Sequence, residues 1–274
     1  MEYSVVDKFH YWIRERENIR VRKEVLQSTT PYTDDPVFQT TYFCNVRRED
    51  DKVTRWIRGN YFPAEGLCST DATPNMMMAR FVNKPESLLK LDWPWGEFHL
   101  DLWSKVMSQE GAWGGAYIVS TNGRRMAKHE YIGGLLDGAW RHFEQHPLPS
   151  TPPTLAGAHR AIQALDGMGS FMAAQVVADL KNTKGHPLAD AADWHTWSSH
   201  GPGSLRGLAW YHGVDKITPS QYTTSIQEAW ERLPKELQKR VQCMQNLQNC
   251  FCEFDKYMRV STGTGRSKRK YNGS

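Results

Sequence analysis

The sequence predicts a mainly α-helical fold, and three observations carry that expectation. Apolar residues recur at helical spacing, as at Val5, Val6, Phe9, Trp12 and Ile13, with charges between them. Helix-start signals precede such segments, Asp35-Pro36 and Thr73-Pro74 among them. Strand character is confined to residues 111–122, where 116–120 suits half of one small β-hairpin turning at Asn122-Gly123.

Residues 5–26 read as the first helix, apolar on one face and covered elsewhere by RERENIRVRKE. After a polar turn, Asp35 caps a helix over 37–44 with Pro36 in its first turn. The segment NVRREDD (45–51) joins it to a helix beginning KVTRWIRGNYF, and residues 60–72 read as loop. Thr73-Pro74 opens NMMMARFVNKPESLL, whose methionines suit a core. Arg80 and Asn83 stand out there, as polar groups in a segment made for burial. Further helices cover 96–108, 129–145, 219–239 and 241–257. In the last, Cys243, Leu247, Cys250 and Phe254 share a face, with Cys252, Glu253 and Lys256 on adjoining faces. The proline-rich HPLPSTPPT marks the candidate boundary, giving subdomains 1–149 and 150–258 and a basic flexible tail 259–274.

Residues 154–184 have the layout of a helix-hairpin-helix module. A helix over 154–165 meets the turn Asp166-Gly167-Met168-Gly169, and Ser170 caps a second helix. Gly167 and Gly169 let backbone approach a phosphate, and the following helix offers free N–H groups and a positive dipole end. Gly167, Gly169 and Ser170 are therefore the DNA-binding candidates, touching backbone rather than base edges. An ordinary αα-hairpin with glycines at its corner carries the same short pattern.

The 274 residues suffice for one large domain or two small ones, with a core that needs no staple. Five cysteines, an odd number without CxxC spacing, point to a reducing cytosol and offer no four-cysteine metal site. MEYSVVDKFHYW does not read as a targeting peptide, and no apolar run reaches membrane-spanning length. Net charge is only +4, but the cations cluster: Arg14 to Lys23, Arg47 to Arg58, and Arg266 to Lys270. Clusters of this kind fit a surface that tracks phosphates.

Two segments carry chemistry. NVRREDD sets Asn45, Arg47, Arg48 and Asp50 at a helix junction, where forked guanidinium bonds can hold a phosphate beside a carboxylate. A salt-bridged surface corner would have the same composition. The loop 185–207 carries Asp190, Asp193, His195, His200, Ser204 and Arg206. An acidic residue shortly after a helix-hairpin-helix is what a base-excision glycosylase uses, and Gly201-Pro202-Gly203-Ser204 can make an anion nest. Ordinary loop caps are the other reading.

FHYWIRERENI, DPVFQTTYFCNVRREDDKVTRW, ARFVNKPESL, LDGMGSFMAAQVVADL, HGPGSLRGL and LQNCFCEFDKY occur in that order, from about Phe9 to Tyr257. Together they resemble the α-glutamyl/putrescinyl-thymine pyrophosphorylase family of bacteriophage DNA hypermodification, also described as amino acid:DNA transferases. The helical domain of 5-hydroxymethyluracil DNA kinases is closely similar. The resemblance implies a helix-hairpin-helix, DNA-glycosylase-like helical fold. It also implies an enzyme that replaces the phosphate or pyrophosphate on phosphorylated 5-hydroxymethyluracil with an amino acid or polyamine. Its partners would be double-stranded DNA containing modified thymine, that co-substrate, and a 5-hydroxymethyluracil DNA kinase, in the host bacterial cytoplasm and with no membrane. No P-loop of the form GxxxxGK[ST] is present, which favours transferase over kinase.

On that reading the target base is flipped out or opened. Arg47 and Arg48, helped by Arg80 or Arg206, stabilise the leaving phosphate. Asp193 is the general base with Asp50 in reserve. Asn45 and Asn83 bond the uracil edge, Ser204, Glu253 and Lys256 complete the substrate-binding set, and Cys252 adds to C6. No metal ligands and no resident cofactor are expected; a divalent cation such as Mg2+ stays open. A glycosylase of the same superfamily and a non-catalytic DNA-binding partner of the kinase are the alternatives.

Overall fold

The computed structural model describes residues 4–61, 69–117, 120–148 and 153–265. Among these the chain is mainly α-helical. The helices are α1 (Val5–Arg20), α2 (Pro36–Thr40), α3 (Lys52–Asn60), α4 (Ser69–Val82), α5 (Pro85–Lys90), α6 (Leu100–Met107) and α7 (Lys128–Gln145). They continue as α8 (Leu155–Gln163), α9 (Ser170–Leu180), α10 (Pro202–His212), α11 (Tyr222–Arg232), α12 (Lys235–Val241) and α13 (Met244–Ser261). A π-helical turn, Val21–Val25, follows α1, and 3-10 turns lie at Arg48–Asp50 and Pro187–Asp190. The chain divides into two compact units, Met1–Asp51 with His195–Ser274, and Lys52–Trp194.

The first unit is built from both ends of the chain. Its core joins Phe9, Trp12 and Ile13 of α1 to Leu208 and Tyr211 of α10 and to Leu247, Phe251 and Phe254 of α13. Phe9 stacks on Phe251 at 4.3 Å between ring centroids. Each such ring, fully buried, contributes roughly 1.5–3 kcal/mol. α10 and α13 meet backbone to backbone, because a Cβ on Gly207 would lie 2.0 Å from the Phe251 carbonyl oxygen. Asp35 caps α2 as its sequence predicts, accepting from Val37 N at 2.8 Å, but the helix stops at Thr40, and 42–45 have no regular secondary structure.

The second unit centres on α4, which packs on α7 and α9, while α8 pairs with α9. Met76, Met77 and Met78 are all buried, as a core assignment requires. Here the helix-start reading needs correction: α4 begins at Ser69, so Pro74 sits inside it. The methionine segment also breaks at Asn83, whose φ of 45° ends α4 before Pro85 opens α5. The α8–α9 turn runs as expected, with Met168 N bonded to Leu165 O at 3.1 Å. Ser170 is the first helical residue of α9 rather than its cap, and its hydroxyl lies 3.3 Å from His159 Nε2.

Asn122 and Gly123 form the expected turn, both with positive φ and with Arg124 N bonded to Thr121 O. Of the hairpin strand expected over 116–120, residues 118 and 119 lie outside the described residues, as do the boundary at 149/150 and the basic end 266–274. Among the described residues no extended strand occurs, and no helix is long and apolar enough to cross a membrane.

Candidate functional site

In the first unit, residues 45–51 pack beside α1 and α13 as a dense polar cluster. Asn45 is at its centre, only 5% exposed, with every polar group engaged. Its N–H donates to Asp51 Oδ1 at 3.1 Å and its Nδ2 to Asp50 O at 3.0 Å. Its carbonyl accepts from Asn249 Nδ2 at 3.1 Å, and its Oδ1 accepts from Arg16. Arg16 also donates through Nε to Cys44 O at 3.0 Å, which ties the loop to α1. From α13, Asn246 Nδ2 donates to Glu49 at 3.0 Å and its Oδ1 accepts from Arg48 N at 3.2 Å.

The charges in this cluster are arranged in order. Arg47 donates to Asp50 Oδ2 through Nε at 2.9 Å, and its Nη2 lies 2.8 Å from the same oxygen. Arg20 Nε is 3.6 Å from that oxygen while holding Glu17 through two bonds. Burial raises the pKa of Asp51, opposed by the Asn45 N–H and by the charges of Arg48 and Arg16. A carboxyl held toward its neutral form beside guanidinium groups is a proton acceptor poised nearer neutrality than an exposed aspartate. Glu253 Oε2 accepts from Cys44 N at 3.0 Å and from Lys256 Nζ at 2.7 Å, so α13 fastens the start of the loop. Unsatisfied polar groups at this depth would cost heavily, and the network meets that demand almost throughout.

Close by in the same unit, Cys252 Sγ would lie 2.5 Å from a Cβ on Gly203, so the thiol is pressed against the start of α10. Burial, then the charge of Glu253, pushes Cys252 up to about 11, and it is a neutral thiol at physiological pH. Ser204 is fully buried; its Oγ accepts from Gly201 N and donates to Gly201 O, both at 3.0 Å. Arg206 is exposed and donates twice to Asp255 Oδ2.

The second unit holds the remaining predicted residues. Arg80 and Arg124 differ sharply there: Arg80 is buried against Asp179 of α9 and donates to Thr54 Oγ1 at 3.0 Å, whereas Arg124 makes an exposed pair with Asp166. Arg80 Nη1 also reaches Asn83 Oδ1 at 3.4 Å. Asp193 receives Leu155 N at 2.6 Å and Ala156 N at 3.0 Å, so each carboxylate oxygen caps the first turn of α8. Gly167, at φ 73°, has no room for a side chain: a Cβ would lie 2.5 Å from Leu135 Cδ1 and 2.9 Å from Tyr131 Oη. Gly169 has an ordinary φ of −77° and open space around it. Its exposed backbone opens the uncapped N-terminus of α9.

Of the predicted site residues, the structure gathers Asn45, Arg47, Arg48, Asp50, Glu253 and Lys256 within the first unit's cluster. Arg16, Arg20, Asp51, Asn246 and Asn249 complete it; Asp51 lies in the NVRREDD segment and Arg16 and Arg20 in the first basic cluster, but none of the five is a predicted site residue. The two arginines look like part of a solvated helix face. The two asparagines repeat three apart on α13, the one signal available for them.

Over residues 3–267 the chain matches the protein family described as "5-hmdU DNA kinase, helical domain". A 5-hmdU DNA kinase of Bacillus phage SP10 is 24% identical to it over 292 residues, covering 92% of this chain and 44% of the relative. The chain thus spans less than half the length of that curated relative. No solved structure matches.

Proposed function

The chain belongs to the 5-hmdU DNA kinase helical-domain family, and we propose that it is a DNA base-modifying transferase of phage thymidine hypermodification. Its substrate on this reading is phosphorylated 5-hydroxymethyluracil in double-stranded DNA. An amine nitrogen from an amino acid or polyamine bonds to the exocyclic carbon. The carbon–oxygen bond breaks, phosphate or pyrophosphate leaves with the electron pair, and the amine gives up a proton.

The observation that carries the reading is the cluster of residues 45–51 with α1 and α13. Guanidinium groups, amides and a carboxyl with a raised pKa stand together there, a combination that building a core does not require. Arg47 and Arg48 receive the phosphate and stabilise it as charge builds on leaving. Asp50 orients Arg47. Asp51 takes the proton, in preference to Asp193, whose oxygens both serve the start of α8. Asn45, Glu253 and Lys256 position the loop.

The α8–α9 pair acts as a helix-hairpin-helix on a DNA-glycosylase-like fold. Nothing in the fold demands glycine at 169, and its bare backbone suits the approach of a phosphate. A phage-encoded chain would do this in the host cytoplasm.

A second reading has its own support: the relative is named a kinase, and this chain spans 44% of it. On that reading the chain holds DNA for a kinase and performs no chemistry.

One assay separates these readings. The protein is incubated with a duplex bearing phosphorylated 5-hydroxymethyluracil, amino acids and polyamines, with Mg2+ or with EDTA, and the nucleosides are analysed by mass spectrometry. A heavier nucleoside carrying the amine is expected. Abasic sites would mark a glycosylase, and unchanged nucleosides with DNA still bound would overturn the transferase reading in favour of the holding module.

A further inference from the structure

Asp255 of α13 is buried, 1% exposed, yet it uses its two oxygens unequally. Oδ2 accepts three N–H bonds: Arg206 Nε at 3.0 Å, Arg206 Nη2 at 2.9 Å and Arg259 Nε at 3.2 Å. Oδ1 is buried and takes no hydrogen bond. An ion pair built for stability would use both oxygens, as Arg80 and Asp179 do. Here one carboxylate instead anchors two cations, which leaves a surplus positive charge. The two arginine side chains remain 54% and 34% exposed, and among the described residues no second carboxylate pairs with either.

We propose that Arg206 and Arg259, fastened to Asp255, form a grip on DNA backbone phosphates in the first unit, separate from the α8–α9 hairpin. A guanidinium held by its Nε side presents its far edge as a ready fork for a phosphate, and the anchor removes much of its conformational freedom beforehand. The chain favours a polymer over a lone anion. Gly265 N bonds back to Arg259 O at 3.0 Å, and Arg266, Lys268, Arg269 and Lys270 follow at once in sequence. Cations that follow one another in sequence suit a polyanion carrying many phosphates. The inference rests on DNA being the substrate but not on the chemistry proposed for it.

The test uses unmodified duplex, so its outcome is independent of base transfer. The full chain's affinity is measured by fluorescence anisotropy across a range of KCl concentrations, for the unaltered protein, Arg206→Gln, Arg259→Gln and the double variant. Each phosphate that is no longer neutralised should make the fall of log K with log salt shallower by about 0.9. Arg141→Gln, at an exposed pair on α7, serves as the control and should leave the slope as it was. A folded double variant with an unchanged slope would overturn the proposal. So would an equal loss in the control. A second measurement needs no variant: arginine labelling with phenylglyoxal, read by peptide mass spectrometry, should show Arg206 and Arg259 protected by duplex. Protection by inorganic phosphate at equal phosphate concentration would point to a small-anion site and also overturn the DNA assignment.

Discussion

Arg80 on α4 grips Asp179 on α9 through both carboxylate oxygens, and neither side chain reaches solvent, at 2% and 0% exposed. The pair braces the second hairpin helix against the helix at the centre of its unit. It gives Arg80 a structural duty that its sequence position, suggestive of phosphate contact, does not disclose. Asp179→Ala removes both carboxylate acceptors from a buried guanidinium and is expected to destabilise by about 3–5 kcal/mol. Replacing both, as Arg80→Met with Asp179→Leu, should recover much of that loss. Urea unfolding of the three proteins checks this, and equal stability in single and double variants would refute the brace.

The two hairpin glycines should separate stability from binding. Gly167→Ala places a methyl against Leu135 and Tyr131 at positive φ and is expected to cost about 2–4 kcal/mol. Gly169→Ala meets open space and should cost less than about 1 kcal/mol at the cap position. If Gly169 admits a phosphate, its variant instead loses DNA affinity roughly tenfold, comparable to one charged hydrogen bond. Thermal unfolding and duplex titration of both variants together decide it.

Asp51 offers a pH signature. Its folded pKa is raised by burial, so the fold favours the protonated form. Its contribution to stability is therefore complete at acid pH and declines as pH rises through the raised folded value. Asp51→Asn keeps an acceptor for Asn45 N–H and should be at least as stable at neutral pH. As the proton acceptor, the unaltered residue should give turnover an acidic limb above the ordinary carboxylate range, and Asp51→Asn should lose about 10²-fold or more. A variant with full turnover would remove the role.

His186 sets a separate acid limit. It is buried, and its Nδ1 accepts from Leu188 N at 3.2 Å at the start of the 3-10 turn. Burial lowers its pKa to about 4 from an ordinary 6.5. The unfolded chain then binds a proton that the folded chain refuses, so stability falls as pH drops from about 6.5 to about 4, by roughly 3 kcal/mol in total. His186→Asn keeps a capping acceptor and should flatten that part of the pH–stability curve; parallel slopes for the two proteins would contradict it.

Local signals were legible in the sequence. Asp35 caps α2, the methionines of α4 fill the core, and the charged loop 45–51 stands at a junction. What escaped depends on contacts between distant segments. Nothing near Glu253 discloses that it receives Cys44 N, which is 209 residues away. Arg16 and Arg20 have the spacing of an exposed helix face, and only the folded unit turns them onto the loop and Asp50. Asp193 and Ser204 were conspicuous as polar loop residues, and each closes a helix start.

The first unit's origin in both chain ends has a consequence for biosynthesis. The segment 4–51 leaves the ribosome before the second unit, but its core neighbours α10 and α13 are translated only after the whole of that unit has been made. The contiguous unit Lys52–Trp194 can fold as it emerges, while Phe9, Trp12 and Ile13 wait with their apolar surface uncovered. The charge-rich sequence RERENIRVRKE within that waiting segment would then serve a second purpose, keeping nascent α1 soluble until its partners arrive.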